Sequence, residues 1–283
     1  MKGLELSRAY FEQVGMPMLE EKFPEYLPRI AAGLVGEGSE CLGMDDGVSR
    51  DHDWGAGFCL WLTEEDYREV GEKMQRAYDA LPGKFMGYHT RPKGGVKRVG
   101  VFSIGQFYQR FIHRTAPPVT LQEWKSIREF ALAAATNGEV FYDPLGQFTA
   151  FRKALLQFYP QDLWRKKMAA CCFVMGQTGQ YNYIRSLQRG QLCSAFLGEA
   201  DFMKQSLRFV YLLNRRYPPF YKWMHPMAQQ LPILGKEVYD LCLKLSKTDN
   251  NNFEKNVEKI HDMEEFCGKV TAELNKMGLT QGT

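Results

Sequence analysis

Residues 36–54 read Gly-Glu-Gly-Ser-Glu-Cys-Leu-Gly-Met-Asp-Asp-Gly-Val-Ser-Arg-Asp-His-Asp-Trp. The apolar run Ile30 to Val35 stands before them and reads as a strand, so the glycines and Ser39 fall where the chain leaves it. Gly36 and Gly38 carry no Cβ, which lets backbone amides come close to an anion, and Ser39 adds a hydroxyl donor. Further on, Asp51-His52-Asp53-Trp54 opens a second expected strand that runs on to Leu62. In an extended chain, residues two apart point to one face and lie roughly 6.6 Å apart. The carboxylates of Asp51 and Asp53 can then converge on one divalent ion or on two. Mg2+ suits such a pair, because it prefers hard oxygen ligands and takes one or two carboxylates together with substrate phosphates.

The aspartate pair alone is a weak signal. With 33 acidic residues in 283, chance supplies about four acidic pairs at this spacing. The alternative reading is a loop whose aspartates cap a helix or close an Asx turn. What strengthens the first reading is the glycine-serine turn before the pair, with eleven residues between Ser39 and Asp51. This arrangement resembles the nucleotidyltransferase superfamily, the polymerase-beta-like fold, in which a Gly-Ser turn ends one strand and Asp-x-Asp opens the next. Ser49-Arg50-Asp51 is similar to the family's entry into that strand, whereas His52 stands where the family usually has an apolar residue.

Composition permits a soluble two-domain enzyme. The chain is 45% hydrophobic and 24% charged, with a net charge of +3, too small to imply nucleic acid by bulk electrostatics. The first residues lack a secretory pattern, and no stretch of about 18 apolar residues occurs, so a cytoplasmic protein without membrane attachment is expected. Seven cysteines without Cys-x-x-Cys spacing argue against a disulfide framework and a zinc site. A basic loop is expected from Arg91 through Lys93 and Lys97 to Arg98, either a solvated hairpin tip, the favoured reading, or a phosphate contact.

The expected fold class is α+β. An N-terminal mixed sheet with flanking helices (1–149) is followed by an all-helical bundle (150–283). The first half alternates: a helix over 5–24, the strand Ile30 to Val35, a helix from Glu64 to Ala80 capped by Thr63, a strand from Val99 to Ile104, a helix from Leu121 to Ala135 and a strand from Glu139 to Tyr142. The second half shows helical spacing over 150–159, 163–178, 181–197, 200–214 and 224–245. After the polar break at 248–252 comes a last stripe, Phe253, Val257, Ile260, Met263, Phe266, Val270 and Leu274, which docks on the bundle or meets a second copy; monomer and homodimer are both open.

The helical half extends the resemblance. The runs at 138–146, 179–185 and 213–223 are similar to an uncharacterised bacterial branch of the superfamily, and the layout is similar to kanamycin- and lincosamide-modifying nucleotidyltransferases. That resemblance implies transfer of a nucleoside monophosphate from a nucleoside triphosphate such as ATP to a hydroxyl of a small molecule, a protein or an RNA end. It also implies Mg2+ on Asp51 and Asp53, phosphates at Gly38 and Ser39, and a lysine of the helical domain on the triphosphate, for which Lys222 is the candidate. Tyr181, Arg185 and Arg189 share a helical face on which guanidinium groups can clamp phosphate, or instead pair with nearby acids. Many family members carry a third carboxylate on a neighbouring strand. Val99 to Ile104 has none, which leaves Asp143 as the candidate, with Glu139 a poorer one; Asp143-Pro144 equally reads as a turn opener. Asp45 and Asp46 lie in the connection, where they can reach a metal or cap a turn. The missing acid supports a second expectation, a nucleotide-binding protein without turnover.

Overall fold

The computed structural model of the chain describes residues 1–48, 54–90, 97–247 and 250–281. The fold is α+β and divides into two compact units, Met1–Phe158 and Tyr159–Thr283.

The first unit opens with α1 (Gly3–Tyr10) and α2 (Met16–Lys22), joined through one π-helical stretch, Phe11–Gly15. Pro24 and Pro28 fall in the 3-10 segment that follows and lead into β1 (Ala31–Leu34). A four-stranded sheet is built from β1, β2 (Cys59–Leu62), β5 (Gly100–Ser103) and β6 (Glu139–Tyr142), in the order β5-β2-β1-β6. β1 is antiparallel to both neighbours, whereas β2 and β5 are parallel and are connected through α3 (Glu64–Asp79). A two-stranded ribbon, β3 (Lys84–Phe85) with β4 (Tyr88–His89), lies within the same connection. Thr63 caps α3 as its spacing predicts, accepting from the Asp66 amide at 3.1 Å.

Alternation along β2 sorts its side chains to the two faces. Leu60 and Leu62 join Leu6, Phe11, Leu19, Val70 and Met74 in one apolar core. Trp61 points to the other face, where its ring stacks on Phe148 at 3.7 Å and meets Phe107 edge-on; Tyr108 stacks on Phe151 at 3.8 Å. Phe107 and Tyr108 belong to α4 (Ile104–Ile112), and Phe148 and Phe151 to α7 (Gln147–Leu156). Gly33 permits this packing, because a Cβ there would fall 2.9 Å from the Trp61 ring and onto the Glu139 carbonyl. The aromatic stack also moves the boundary between the units: α7, placed in the helical half by the division at 149/150, belongs to the first unit. Between β5 and β6 the expected helix over 121–135 is two, α5 (Leu121–Ser126) and α6 (Glu129–Thr136), with Ile127 extended between them.

The second unit is helical throughout its described residues: α8 (Gln161–Met175), a π-helical stretch Gly176–Tyr183, α9 (Ile184–Gln188), α10 (Leu192–Leu213), α11 (Tyr221–Ala228), α12 (Gly235–Ser246) and α13 (Phe253–Lys276). Two expected helices are broken. The run 181–197 is interrupted at Gly190, whose φ of +66° lies in the left-handed region, and α10 then absorbs the run 200–214. The run 224–245 stops before Pro232, which cannot continue a helix, and resumes after Leu234, itself left-handed at φ +55°. On α13, Met263, Phe266 and Val270 are buried as the stripe predicts, whereas Val257 is exposed.

The apolar pattern misses a polar network in this unit. Lys259 and Glu199 are both buried, and the ammonium donates to the two carboxylate oxygens at 2.8 and 3.0 Å and to Asn250 Oδ1 at 2.9 Å. The Tyr183 hydroxyl donates to Asn250 Oδ1 at 2.8 Å, and Asn256 Nδ2 donates to the Asn250 carbonyl at 2.9 Å. Removing one member of a buried ion pair strands the other charge. Lys259→Met is therefore expected to lower the unfolding free energy of the helical unit by about 3–5 kcal/mol in urea titration, and Lys259→Met with Glu199→Leu to recover most of that loss. A double variant no more stable than the single one contradicts this account.

Candidate functional site

The C-terminal end of β1 leads into Gly36-Glu37-Gly38 and a 3-10 turn, Ser39–Leu42, closed by Gly43 in the left-handed conformation. The bend is held by a reciprocal pair of hydrogen bonds. The Gly36 amide donates to Asn137 Oδ1 at 2.9 Å, and Asn137 Nδ2 donates back to the Gly36 carbonyl at 2.5 Å. Next to it the Gly138 amide donates to the Cys41 carbonyl at 2.8 Å. Arg152 of α7 fixes the same turn from outside, its Nη1 and Nη2 donating to the carbonyls of Asn137 and Gly138 at 2.6 and 3.3 Å. Gly36 has φ +144°, which favours glycine, and a Cβ on Gly38 would run into the Glu40 carboxylate.

The bend opens on a small cleft lined by Leu34, Val35, Gly36, Glu37, Gly38, Cys41, Arg98, Arg110 and Phe111. Both cations reach it from beyond β2: Arg98 stands just before β5, and Arg110 on α4, just after it. The Arg110 guanidinium lies over the Phe102 ring at 5.0 Å and near Phe111 at 5.7 Å, and Lys97 Nζ is 5.1 Å from the same Phe102 ring. Burial pulls the Arg110 guanidinium below its ordinary value, with Arg98 adding repulsion; Cys59 and the Glu37 carboxylate oppose that shift. Among the described residues, the amides of Glu37, Gly38 and Ser39 meet no protein acceptor at hydrogen-bond distance. The arrangement is suited to an anion.

Asp51, His52 and Asp53 lie outside the described residues, as do Arg91 and Lys93 of the expected basic loop. The chain is described again from Trp54, whose indole Nε1 donates to Asp45 Oδ2 at 3.2 Å and crowds Gly3 together with Glu40. The covalent neighbour of Asp53 is thereby held against the turn that follows Gly38. Residues 54–58 do not continue the β2 ladder as the sequence predicts; Ala56 bridges to Thr90 instead.

The two acids of the connection are structural. Asp45 accepts from the Gly3 amide at 2.7 Å as well as from Trp54, and so anchors the start of α1. Burial alone would raise its carboxyl, but the hydrogen bonds from Gly3 and Trp54 and the nearby Lys2 ammonium outweigh burial and hold it below the ordinary aspartate value. Asp46 accepts from the Val48 amide at 3.0 Å, an Asx turn.

Asp143 stands away from the bend. Strand β6 runs antiparallel to β1, with Glu139 opposite Leu34 and Tyr142 opposite Ala32. Asp143 therefore emerges at the far end of the sheet, roughly 13 Å or more along the strand from Gly36. Its oxygens are used there: Oδ1 accepts from the Gly146 amide at 2.9 Å and Oδ2 from Thr149 at 2.8 Å, opening the turn into α7. The acid at the bend end of β6 is Glu139, ion-paired with Arg8. Strand β5 has no acid. Among the described residues no group of three His, Cys, Asp or Glu side chains is placed to hold a metal ion.

The remaining candidates belong to the second unit. Tyr181, in the π-helical stretch, is exposed, and the Arg185 guanidinium lies over its ring at 4.0 Å. Arg189 ends α9. Lys222, in the first turn of α11, has its ammonium 5.0 Å from the Trp223 ring. Arg110, Asn137 and Arg152 were not singled out by the sequence, and Arg98 only as the end of the expected basic loop; the one hint at Asn137 is the Asn-Gly dipeptide, which marks a turn but not its partner.

Residues 124–224 match the model of a family described as a domain of unknown function, DUF4037. No curated protein matches the chain. Among solved structures the chain is similar to a nucleotidyltransferase-like protein from Exiguobacterium sibiricum 255-15, at 11% identity, 92% coverage of this chain, 77% of that chain and a TM-score of 0.40. Among the described residues no helix is long and apolar enough to cross a membrane.

Two substitutions test this geometry. Asn137→Ala leaves both polar groups of Gly36 without their partner and is expected to cost about 1–3 kcal/mol of stability. Asn137→Asp, which keeps the acceptor and loses the donor, should recover only part of that in thermal unfolding. Asp143→Ala should lower stability by about 1 kcal/mol through the lost cap and leave nucleotide affinity, measured by calorimetry, unchanged.

Proposed function

We propose that this protein is a Mg2+-dependent nucleotidyltransferase that moves a nucleoside monophosphate from a nucleoside triphosphate, such as ATP, to an acceptor hydroxyl and releases pyrophosphate. The observation that carries the reading is the clamped glycine bend at the end of β1. It faces a cleft rimmed by arginines, and Trp54, one residue beyond Asp53, is held beside the same turn. The donor set Asp51 and Asp53 has the chemistry of a Mg2+ site, two hard carboxylates one residue apart. When bound, the ion would supply charge neutralisation at the phosphates.

The chain's own residues do the rest. Asp51 and Asp53 would hold the cation. The amides of the bend and the Ser39 hydroxyl orient the β- and γ-phosphates, so that the acceptor oxygen can approach the α-phosphorus in line with the leaving pyrophosphate. Asn137 and Arg152 keep the bend in its binding conformation before the nucleotide arrives. A second reading, nucleotide binding without turnover, is favoured by one observation, the absence of an acid on β5.

Asp51→Asn and Asp53→Asn are expected to reduce Mg2+-dependent ATP binding by about tenfold or more while shifting the melting temperature little. Calorimetric titration with ATP and Mg2+ measures the affinity, and unchanged affinity in both variants removes the reading. Mass-tagged ATP incubated with cell extract then separates the two readings: a tagged acceptor supports transfer, and binding without a product supports the second.

A further inference from the structure

The exposed face of α8 is unlike an ordinary solvated helix face. Leu163, Trp164, Met168, Cys171 and Met175 bury one side of the helix. On the other side, exposed positions recur every three or four residues from Asp162 to Arg185 of α9. Phe173 lies in the middle of this row and is 68% exposed, with Ala169 and Ala170 exposed one turn before it. Single apolar side chains on a surface are ordinary, whereas a phenylalanine beside small residues on one helix face forms a patch. An α-helix, at about 3.6 residues per turn, carries residues four apart steadily around its axis. Here Gly176–Tyr183 is π-helical and turns less per residue, so Phe173, Gln177, Tyr181 and Arg185 stay in one exposed line. The Arg185 guanidinium lies over the Tyr181 ring at 4.0 Å, which directs it along the face. Among the described residues neither Asp162 nor Arg185 has an ion-pair partner.

We propose that this face is the contact between two copies of the chain, packed antiparallel about a two-fold axis that passes beside Phe173. The row is self-complementary in that register. With an axis between positions 173 and 174, residues equally far on either side meet across it: Asp162 faces Arg185 of the other copy, Lys166 faces Tyr181, Ala170 faces Gln177, and the two Phe173 rings meet at the centre. An acid thus meets a guanidinium, an ammonium meets an aromatic ring, and a small residue leaves room for an amide. A slip of four residues in one direction sets Lys166 against Arg185, and a slip of four in the other removes the partner of Asp162, so the charges select one register. At about 1.5 Å per residue the row is about 30 Å long, and two helical faces of that length bury roughly 1,000 Å2 in total, the lower end for specific interfaces and fitting for a dimer that dissociates at micromolar concentration. Leu163 to Gly198 contains no acid, a bias that also suits an anionic surface; the acid at the head of the row and its apolar centre favour a second copy. The contact is independent of the transferase reading.

The test is sedimentation velocity on the full chain from about 1 to 100 μM, where the wild-type protein is expected to pass from monomer to dimer. The two-fold axis makes every substitution act twice. Asp162→Arg and Arg185→Asp, each of which sets like charges face to face, should therefore each raise the dissociation constant about tenfold, and the two together should return it to within about threefold of wild type. Phe173→Glu should leave only monomer over the same range, with the circular dichroism and melting temperature of the wild type, because the side chain is exposed. Val257→Glu, at an exposed apolar position of α13, should leave association unchanged. The proposal is overturned if the wild-type chain stays monomeric, if Phe173→Glu leaves the dimer intact, if Val257→Glu breaks it, or if the double charge exchange associates no better than the single variants. A wild-type monomer that instead sediments with single-stranded RNA or with vesicles of anionic phospholipid assigns the face to that partner and overturns the proposal as well.

Discussion

The geometry of the bend depends on one side-chain amide. Asn137 pairs with both polar groups of the Gly36 peptide, much as one strand pairs with another, and so extends the contact between β1 and β6 past the point where the ladder ends. A glycine-rich segment left to itself loses more conformational freedom on ordering than any other. Here the ordering is imposed by a neighbour that is itself fixed, since Arg152 ties the Asn137 and Gly138 carbonyls to α7, and α7 is held by the stack of Phe148 on Trp61. The chain of constraint runs from an aromatic ring in the core to a backbone turn at the sheet's end. A pre-formed turn can receive a ligand without first being ordered by it.

The parts of this arrangement that are local in sequence were legible. The strand before the bend, the Thr63 cap, the turn at Asn137-Gly138 and the strand after it follow from short-range rules. What could not be read is direction. Glu139 starts β6 and Asp143 follows its last residue, and which of them stands at the bend depends on β6 running antiparallel to β1. The place of Arg98 and Arg110 escapes for a related reason: they reach the bend only because β2 and β5 are parallel, so that the start of β5 returns to the end where β1 finishes. Parallel pairing is a property of the crossover through α3, not of either strand's residues.

The helical half shows a different limit. A stripe of apolar residues identifies the buried face of α13, yet Lys259 and Asn256 are buried beside that stripe. Their burial is tolerable only because Glu199, Asn250 and Tyr183 arrive from other segments to satisfy them, and no periodicity in α13 announces such partners. Long helical patterns likewise conceal interruptions. Gly190 and Pro232 punctuate runs whose apolar spacing continues across them, and the local backbone rule prevails over the pattern.

Charge at the bend follows from the same topology. The elements that end there bring arginines from β5 and α4, while the acid of β6, Glu139, is ion-paired with Arg8. The cleft is therefore lined by two guanidiniums as well as the exposed Glu37 carboxylate, in a chain whose net charge is only +3. Local excess of this kind arises from where strands begin and end, not from composition. Such a site attracts an anion of high charge density at short range while leaving the rest of the surface nearly neutral, because screening confines the attraction to about 10 Å at ordinary salt.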